Sequence, residues 1–338
     1  NSPYIINICS TVSPYSCENE LIPYMEDKFN LKEGIDFVVV YNPYFVALGS
    51  VIKTLRNPDF ILVGTRDEKK IKKFLDLYKI LYSYEAKFKI LSLTEAEITK
   101  VCVNTFLTLK ISFANTMQLL GFKDKNLSTN KILDAIGEDS RIGKKFLKSG
   151  LPYGGPCLPR DNFAVINFLN KLKIQSDLNE SSEAINNNYT SYLYDQIDFL
   201  EEKNIKKITF MGMGYKSNTD CVEGSVSLKL IDYCIEKKFK ILLYDFYINT
   251  NYNNVKKYSN LNELISNSDV IFIPYKDQKF NELFNYSNKK IIIFDMFDQF
   301  ENIQNNIIVT KNLKNIDLTF LEKKLTVEKN QKIVNLKI

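Results

Sequence analysis

KKITFMGMGYKS, residues 206–217, carries an apolar, β-rich run straight into two glycines. Such a run reads as a strand, and glycines directly after a strand permit a tight turn or the close approach of backbone to a phosphate. Outward from it lie a helix at 227–239 (SLKLIDYCIEKKF), a strand at 240–246 (KILLYDF), and strands at 269–275 (DVIFIPY) and 289–297 (KKIIIFDMF). Strands alternating with helices predict a doubly wound α/β unit with a parallel sheet. Asp245 ends the strand after the glycines, where a ribose-binding acid would lie in a dinucleotide fold. The third glycine of that fingerprint is Ser217, so a nucleotide-type site and a plain tight turn both stay open.

The same rhythm runs through the first part of the chain. YIINICSTV (4–12), DFVVVYNP (36–43) and DFILVGT (59–65) read as strands, the first of them as buried. Residues 16–29 and 68–81 read as helices, the second with apolar residues three and four apart, and a parallel sheet is expected. Between these two regions the pattern is helical, over 94–122, 127–139 and 162–202. Thr94 with Glu97 fits a capping box at the head of the long helix. The Asn-rich runs at 186–188 and 250–254 read as loops or helix ends. The expected fold class is α/β: a partial Rossmann-like N-terminal domain (1–83), a central helical domain (84–200) and a C-terminal Rossmann-like domain (201–338).

Composition narrows the chemistry. The 338 residues include no histidine, which excludes Ser-His-Asp and Cys-His hydrolases and any dehydrogenase with a histidine base. Protons must move through Asp, Glu, Lys, Tyr or Cys. The six cysteines form no CxxC pair, so neither a zinc site nor any other metal is expected. Without a signal peptide the reading is a cytoplasmic protein with reduced thiols. The net charge of +5 is spread along the chain, which argues against nucleic acid as a partner, and no apolar run is long enough to cross a membrane. The chain opens at Asn1, almost directly in a strand, and the expectation is that residues are missing before it.

Three stretches offer reactive groups. In GGPCLPRD (154–161), Gly154, Gly155, Pro156 and Pro159 make a rigid turn around Cys157, with Arg160 and Asp161 just beyond. A thiol with a carboxylate and no histidine suits a covalent thioester route in which the carboxylate activates water; a buried small hydrophobe is the alternative. RIGKKFLKSG (141–150) gathers Arg141, Lys144, Lys145 and Lys148, a setting for a diphosphate or simply a solvated helix face. Lys100 and Asn104 share one face of the long helix, among apolar neighbours, and together can stabilise an oxyanion.

Four segments, STVSP (10–14), YNPYFVALGSVIKTLRNPDFILVG (41–64), AEITKVCVNTFLTLKISFAN (96–115) and RIGKKFLKSGLPYGGPCLPRD (141–161), resemble the UDP-glucose dehydrogenase and wider nucleotide-sugar dehydrogenase family, over nearly the whole chain. The resemblance implies oxidation of a sugar's primary alcohol to a carboxylate with two molecules of NAD, on a UDP-sugar, by a homodimer built on the central helices. It implies that Cys157 forms a thiohemiacetal and then a thioester, that Asp161 activates the hydrolytic water, and that Lys100 and Asn104 hold the reacting oxygens. Thr11 would contact that water and, with Arg160, the cofactor. Tyr44, Phe45, Val46, Lys148, Tyr153, Gly155, Tyr215 and Lys216 would contact the nucleotide sugar, and Arg141 would reach the neighbouring subunit's site. It also makes 201–338 the nucleotide-sugar domain. The sequence departs from the family at the GxGYVG turn, which is absent. It departs again at Tyr44 (a glutamate in the family), at Val222 (an arginine), and at FDMFDQF (294–300), which lacks an arginine. The alternatives are a non-catalytic nucleotide-sugar binder, or a dehydrogenase of a UDP-N-acetylhexosamine or of GDP-mannose.

Overall fold

A computed structural model describes residues 3–82, 87–124, 126–286, 290–300 and 307–316. In order they form β1 (Tyr4–Ile8), α1 (Ile22–Phe29), β2 (Phe37–Tyr41), α2 (Val51–Arg56), β3 (Ile61–Gly64), α3 (Lys72–Leu81), β4 (Phe88–Leu91), α4 (Leu93–Lys123), α5 (Thr129–Glu138), α6 (Leu158–Lys171), α7 (Asp177–Glu202), β5 (Lys207–Phe210), α8 (Val226–Glu236), β6 (Lys240–Leu243), α9 (Leu261–Asn267), β7 (Val270–Ile273), β8 (Ile291–Asp295) and β9 (Ile307–Thr310). The described residues fall into two compact units, one from 1–109 with 157–181, the other from 110–156 and from 182 on. The boundary expected at residue 83 lies outside the described residues.

The first unit is built on a four-stranded sheet in the order β1-β2-β3-β4. Strand β2 is apolar throughout and buried on both faces, as a central strand must be. Phe37, Val39 and Tyr41 pack on one face with Leu62, Leu93 and Ala96. Val38 and Val40 pack on the other with Ile71, Phe74 and Tyr78. Two expectations fail here. The sheet is mixed, because β2 and β3 meet antiparallel at Tyr41 and Gly64. Their connection carries only the six-residue α2, too short a helix to cross over the sheet, so the chain turns back. Strand β1 is not buried: it is the edge strand, and Tyr4 is 83% exposed.

Strand β4 was not expected from the sequence. Helix α4 also starts differently from the pattern. Its capping pair is Ser92 and Glu95: the Ser92 amide and hydroxyl donate to Glu95 Oε2 at 2.9 and 2.7 Å, and the Glu95 amide donates back to Ser92 Oγ at 3.3 Å. Glu97 is buried and does other work.

The second unit carries a five-stranded, all-parallel sheet in the order β6-β5-β7-β8-β9. Tyr189, Leu193, Ile197 and Leu200 of α7 share one core with Leu230 and Ile231 of α8. Leu261, Leu264 and Ile265 of α9 belong to a second core with alternate residues of the same strands. Strand β9 was not expected. The asparagines at 186–188 are not at a helix end but inside α7, and Asn186 is buried there.

Candidate active site

Glu97, Lys100 and Asn104 stand on one face of α4, and each reaches a different element of the first unit. Glu97, fully buried, accepts the amides of Tyr15 (2.6 Å) and Cys17 (2.8 Å). These amides open the helical segment that a wide turn over Cys17–Leu21 leads into α1, so Glu97 caps it from another helix. Burial, and then Glu97 itself, pushes the Cys17 thiol far above its ordinary range. The loop so held carries Thr11, which is half-buried. Tyr15 within it has φ of 71°, a left-handed conformation that costs a non-glycine residue about 1 kcal/mol. Its ring packs on Phe168 of α6 at 5.9 Å between centroids.

Lys100 is 7% exposed. Its ammonium donates to the Tyr44 carbonyl at 2.9 Å and sits 4.3 Å from the centroid of the Phe45 ring. Burial lowers its pKa; the carboxylate of Asp161 and the thiol of Cys157 act in the opposite sense, and Arg160 again lowers it. Asn104 donates to Asp161 Oδ2 at 2.6 Å, while Arg160 donates to Asp161 Oδ1 at 2.8 Å. Asp161 itself is 1% exposed. Cys157, exposed, is the N-cap residue of α6, and the Asp161 amide returns to its carbonyl at 2.9 Å, the first helical bond. One turn of α6 therefore aligns thiol and carboxylate. The result is a nucleophilic sulfur, a carboxylate with both oxygens held, and a buried ammonium: the equipment for covalent acyl chemistry without histidine.

Tyr44 faces two ways. Its carbonyl serves Lys100, but its phenol lies 3.0 Å from the Tyr78 hydroxyl and accepts a long contact from the Cys9 thiol at 3.9 Å. Burial holds that phenol far above its ordinary pKa, so it cannot stand in for a carboxylate base. Val46 is exposed, and Phe45 stacks on Phe60.

The second unit groups another set. Gly155 has φ of 80°, and a Cβ there would come within 2.5 Å of the Tyr215 ring. Its amide donates to the Glu223 carbonyl at 3.0 Å. Lys216 lies 5.5 Å from the Tyr215 ring centroid, and Tyr153 donates its hydroxyl to Glu183 at 2.8 Å. The basic stretch is a series of turns rather than a helix face. Arg141 is gripped by Asp139, Lys144 by Glu138 and Asp134, and Lys148 is exposed. Lys110 donates to the carbonyls of Ile142 and Gly143, both at 3.1 Å, and so sets the turn that carries Arg141.

The glycine loop at 212–217 departs from a dinucleotide fingerprint. The loop after β5 does not open into a helix; α8 begins only at Val226, with Ser225 as its cap. Gly212 has φ of 139°, and the space beside its Cα is filled by Tyr275, whose hydroxyl lies 2.7 Å from where a Cβ would be. Asp245 is spent on the backbone, accepting from Met213, Tyr247 and Ile248. Asp295 likewise accepts from Phe297, Gln299 and Phe300. Asp298 is paired with Lys311 at 2.6 Å.

At the ends of β1 and β2 in the first unit, the side-chain oxygens of Asn7 and Asn42 are buried without a donor among the described residues. Two such acceptors fit the amide end of a nicotinamide, and Thr11 lies in the loop that follows β1. Of the groups described, Asn7 and Asn42 escaped sequence reading, and Glu97 and Asn186 were read there as a helix cap and a loop or helix end rather than in the roles they have. For Glu97 the signal was present: a carboxylate one turn before Lys100 in an apolar run.

Three domain descriptions of the UDP-glucose/GDP-mannose dehydrogenase family match the chain: the NAD binding domain over residues 1–82, the central domain over 94–188 and the UDP binding domain over 209–302. The UDP-glucose 6-dehydrogenase of Rickettsia prowazekii is 29% identical over 323 residues, which is 92% of this chain and 72% of that protein. The GDP-mannose 6-dehydrogenase of Pseudomonas syringae pv. tomato is 25% identical, over 88% of this chain and 70% of that one. The solved UDP-glucose dehydrogenase from Pyrobaculum islandicum superposes with a TM-score of 0.78 at 25% identity, covering 90% of this chain and 69% of its own.

Proposed function

The chain belongs to the UDP-glucose/GDP-mannose dehydrogenase family, and from that premise we propose that it oxidises the sugar of UDP-glucose to UDP-glucuronate. The observation that carries the reading is the grouping of Lys100, Asn104, Asp161 and Cys157 in the first unit. NAD is the cofactor, and when bound it supplies the hydride acceptor. Thr11, Asn7 and Asn42 are the groups that would hold its nicotinamide. Arg160, a cofactor contact by resemblance, is assigned here to orienting Asp161.

Lys100 holds the sugar's oxygen while the alcohol becomes a carbonyl, its charge opposing the alkoxide that develops. The Cys157 sulfur then adds to the carbonyl carbon, and Lys100 stabilises the oxygen of the thiohemiacetal. Loss of a second hydride, for which a second NAD would be the acceptor, leaves the carbon as a thioester on Cys157. Asp161, oriented by Asn104 and Arg160, takes the proton of the water that cleaves it and frees the thiol. Tyr44 and Phe45 act through carbonyl and ring on Lys100, while Val46, Lys148, Tyr153, Gly155, Tyr215 and Lys216 form the nucleotide-sugar contacts. Residues 1–83, 84–200 and 201–338 serve as part of the NAD-binding domain, the helical domain and the nucleotide-sugar domain. A homodimer would use the exposed stripe Cys102, Phe106, Phe113 and Leu120 of α4, and Arg141 would act from it toward a second subunit.

Cys157→Ser tests the chemistry. Mass spectrometry should find no UDP-glucuronate from it, and substantial uronate would remove Cys157 as nucleophile. One second reading has an observation of its own. The phenol of Tyr44, engaged with Tyr78 where the family carries a glutamate, favours a nucleotide-sugar binder without turnover. Calorimetry separates the two, since a binder takes UDP-glucose and ignores NAD.

A further inference from the structure

The segment that leads into Cys157 has no regular secondary structure from Ser149 to Gly154, yet its backbone is bonded as if it lay beside a strand. The partners are two buried carboxamides. Asn115 of α4, 1% exposed, accepts the Gly150 amide at 3.0 Å and donates to the Leu151 carbonyl at 3.2 Å. Asn186 of α7, 7% exposed, accepts the Tyr153 amide at 2.7 Å and donates to the carbonyl of the same residue at 3.0 Å. A carboxamide presents one donor and one acceptor side by side, the arrangement a neighbouring peptide would offer, so each asparagine replaces one rung of a β-ladder.

We propose that Asn115 and Asn186 are positioning residues for Cys157, acting as strand surrogates that fix residues 150–153 and thereby the geometry of Tyr153, Gly155 and the thiol. Tertiary bonding of this kind is unexpected for packing alone. An apolar side chain would fill either position, whereas a buried carboxamide must be bonded at both atoms to be tolerated. Both are bonded, and only to this one loop. Ser149 and the Gly155 amide anchor the two ends of the loop, on Gln118 and on the Glu223 carbonyl, but between them Pro152 lacks an amide, and the backbone bonds of 150–153 go to these two carboxamides. The proposal rests on the dehydrogenase reading for what the loop contacts, but its physical content, a clamped approach to Cys157, does not.

The test uses the full chain and two variants of similar size, Asn186→Leu and Asn115→Leu, each of which removes the acceptor of one loop amide and the donor to one loop carbonyl. Hydrogen exchange should show the Gly150 and Tyr153 amides protected in the wild type. Asn186→Leu should raise exchange at Tyr153 at least tenfold while leaving Gly150 protected, and Asn115→Leu should do the reverse. In the same samples, below the unfolding transition of each, the rate of Cys157 alkylation by iodoacetamide should change at least threefold, with the exposed Cys9 as internal reference. An unprotected Tyr153 amide in the wild type, or an alkylation rate at Cys157 unchanged by both variants despite lost protection, would overturn the assignment. Should the wild type fail to bind UDP-glucose, the dehydrogenase reading fails, and the exchange and alkylation results still decide the clamp.

Discussion

The two halves of α4 solve the same problem with different chemistry. The first half buries charge: Glu97 and Lys100 are both under a tenth exposed, and Asn104 serves a third charge, Asp161. The second half buries neutral groups: Ser112 bonds to Ser182, Asn115 to the loop at 150–151, and Gln118 to Thr129 and Ser149. Both halves pin loops to one helix. Charge costs far more to bury than a carboxamide does, so a fold that needed only shape would use the second set throughout. The charged half coincides with the reactive cluster, which is where a charge has a use beyond architecture.

That contrast predicts opposite outcomes. Lys100→Met should cut uronate formation by about 10²–10³-fold, the range for loss of one oxyanion donor, while thermal unfolding stays at or above the wild-type temperature. A large loss of stability in Lys100→Met would mean that the ammonium is architectural. Asn115→Leu should behave in the reverse sense, because it leaves the Gly150 amide and Leu151 carbonyl unpaired; denaturant titration should show a loss of about 2–4 kcal/mol. Glu97→Gln keeps the shape but points an amine at one of two backbone donors, and a loss of about 1–3 kcal/mol is expected from the same titration.

Phe45→Leu removes the ring under Lys100 and should lower stability by about 0.5–2 kcal/mol beyond what its lost area accounts for, read as a double-mutant cycle with Lys100→Met. The smallest effect is on pH dependence. Burial depresses the Lys100 pKa in the folded chain, so in the window below the ordinary lysine value of about 10.4 the unfolded chain binds more protons. Its contribution therefore rises with pH through that window. The wild type should gain stability relative to Lys100→Met as pH increases there, and a flat difference would contradict the burial of charge on this face.

The sequence made some of this plain and hid the rest for identifiable reasons. Strands β5, β7 and β8 are short apolar runs buried on both faces, which periodicity detects readily. Strand β4 is interrupted by the exposed Lys89, and β9 follows a polar stretch; neither looks different from a loop. The start of α4 contains two overlapping capping patterns, Ser92 with Glu95 and Thr94 with Glu97. Local spacing cannot choose between them; the choice is made by the Tyr15 and Cys17 amides, which take Glu97 for themselves. Asn186 reads as a helix breaker by propensity, and only the loop it serves explains why it sits within a helix. Lys100 with Asn104, and Cys157 with Asp161, could be picked out as pairs because each lies within one helical turn; that Asn104 meets Asp161, across 57 residues, was implied only by the resemblance. The partners of Tyr44 were not legible, since Cys9 and Tyr78 lie 35 and 34 residues away.

Tyr275 beside Gly212 fixes what that position can hold. The Tyr275 hydroxyl lies 2.7 Å from where a Cβ at 212 would begin, so even an alanine there would push the phenol aside. The crest of the second unit's sheet is thus closed to substitution at 212, and a side chain there would disturb the loop that carries Tyr215 and Lys216.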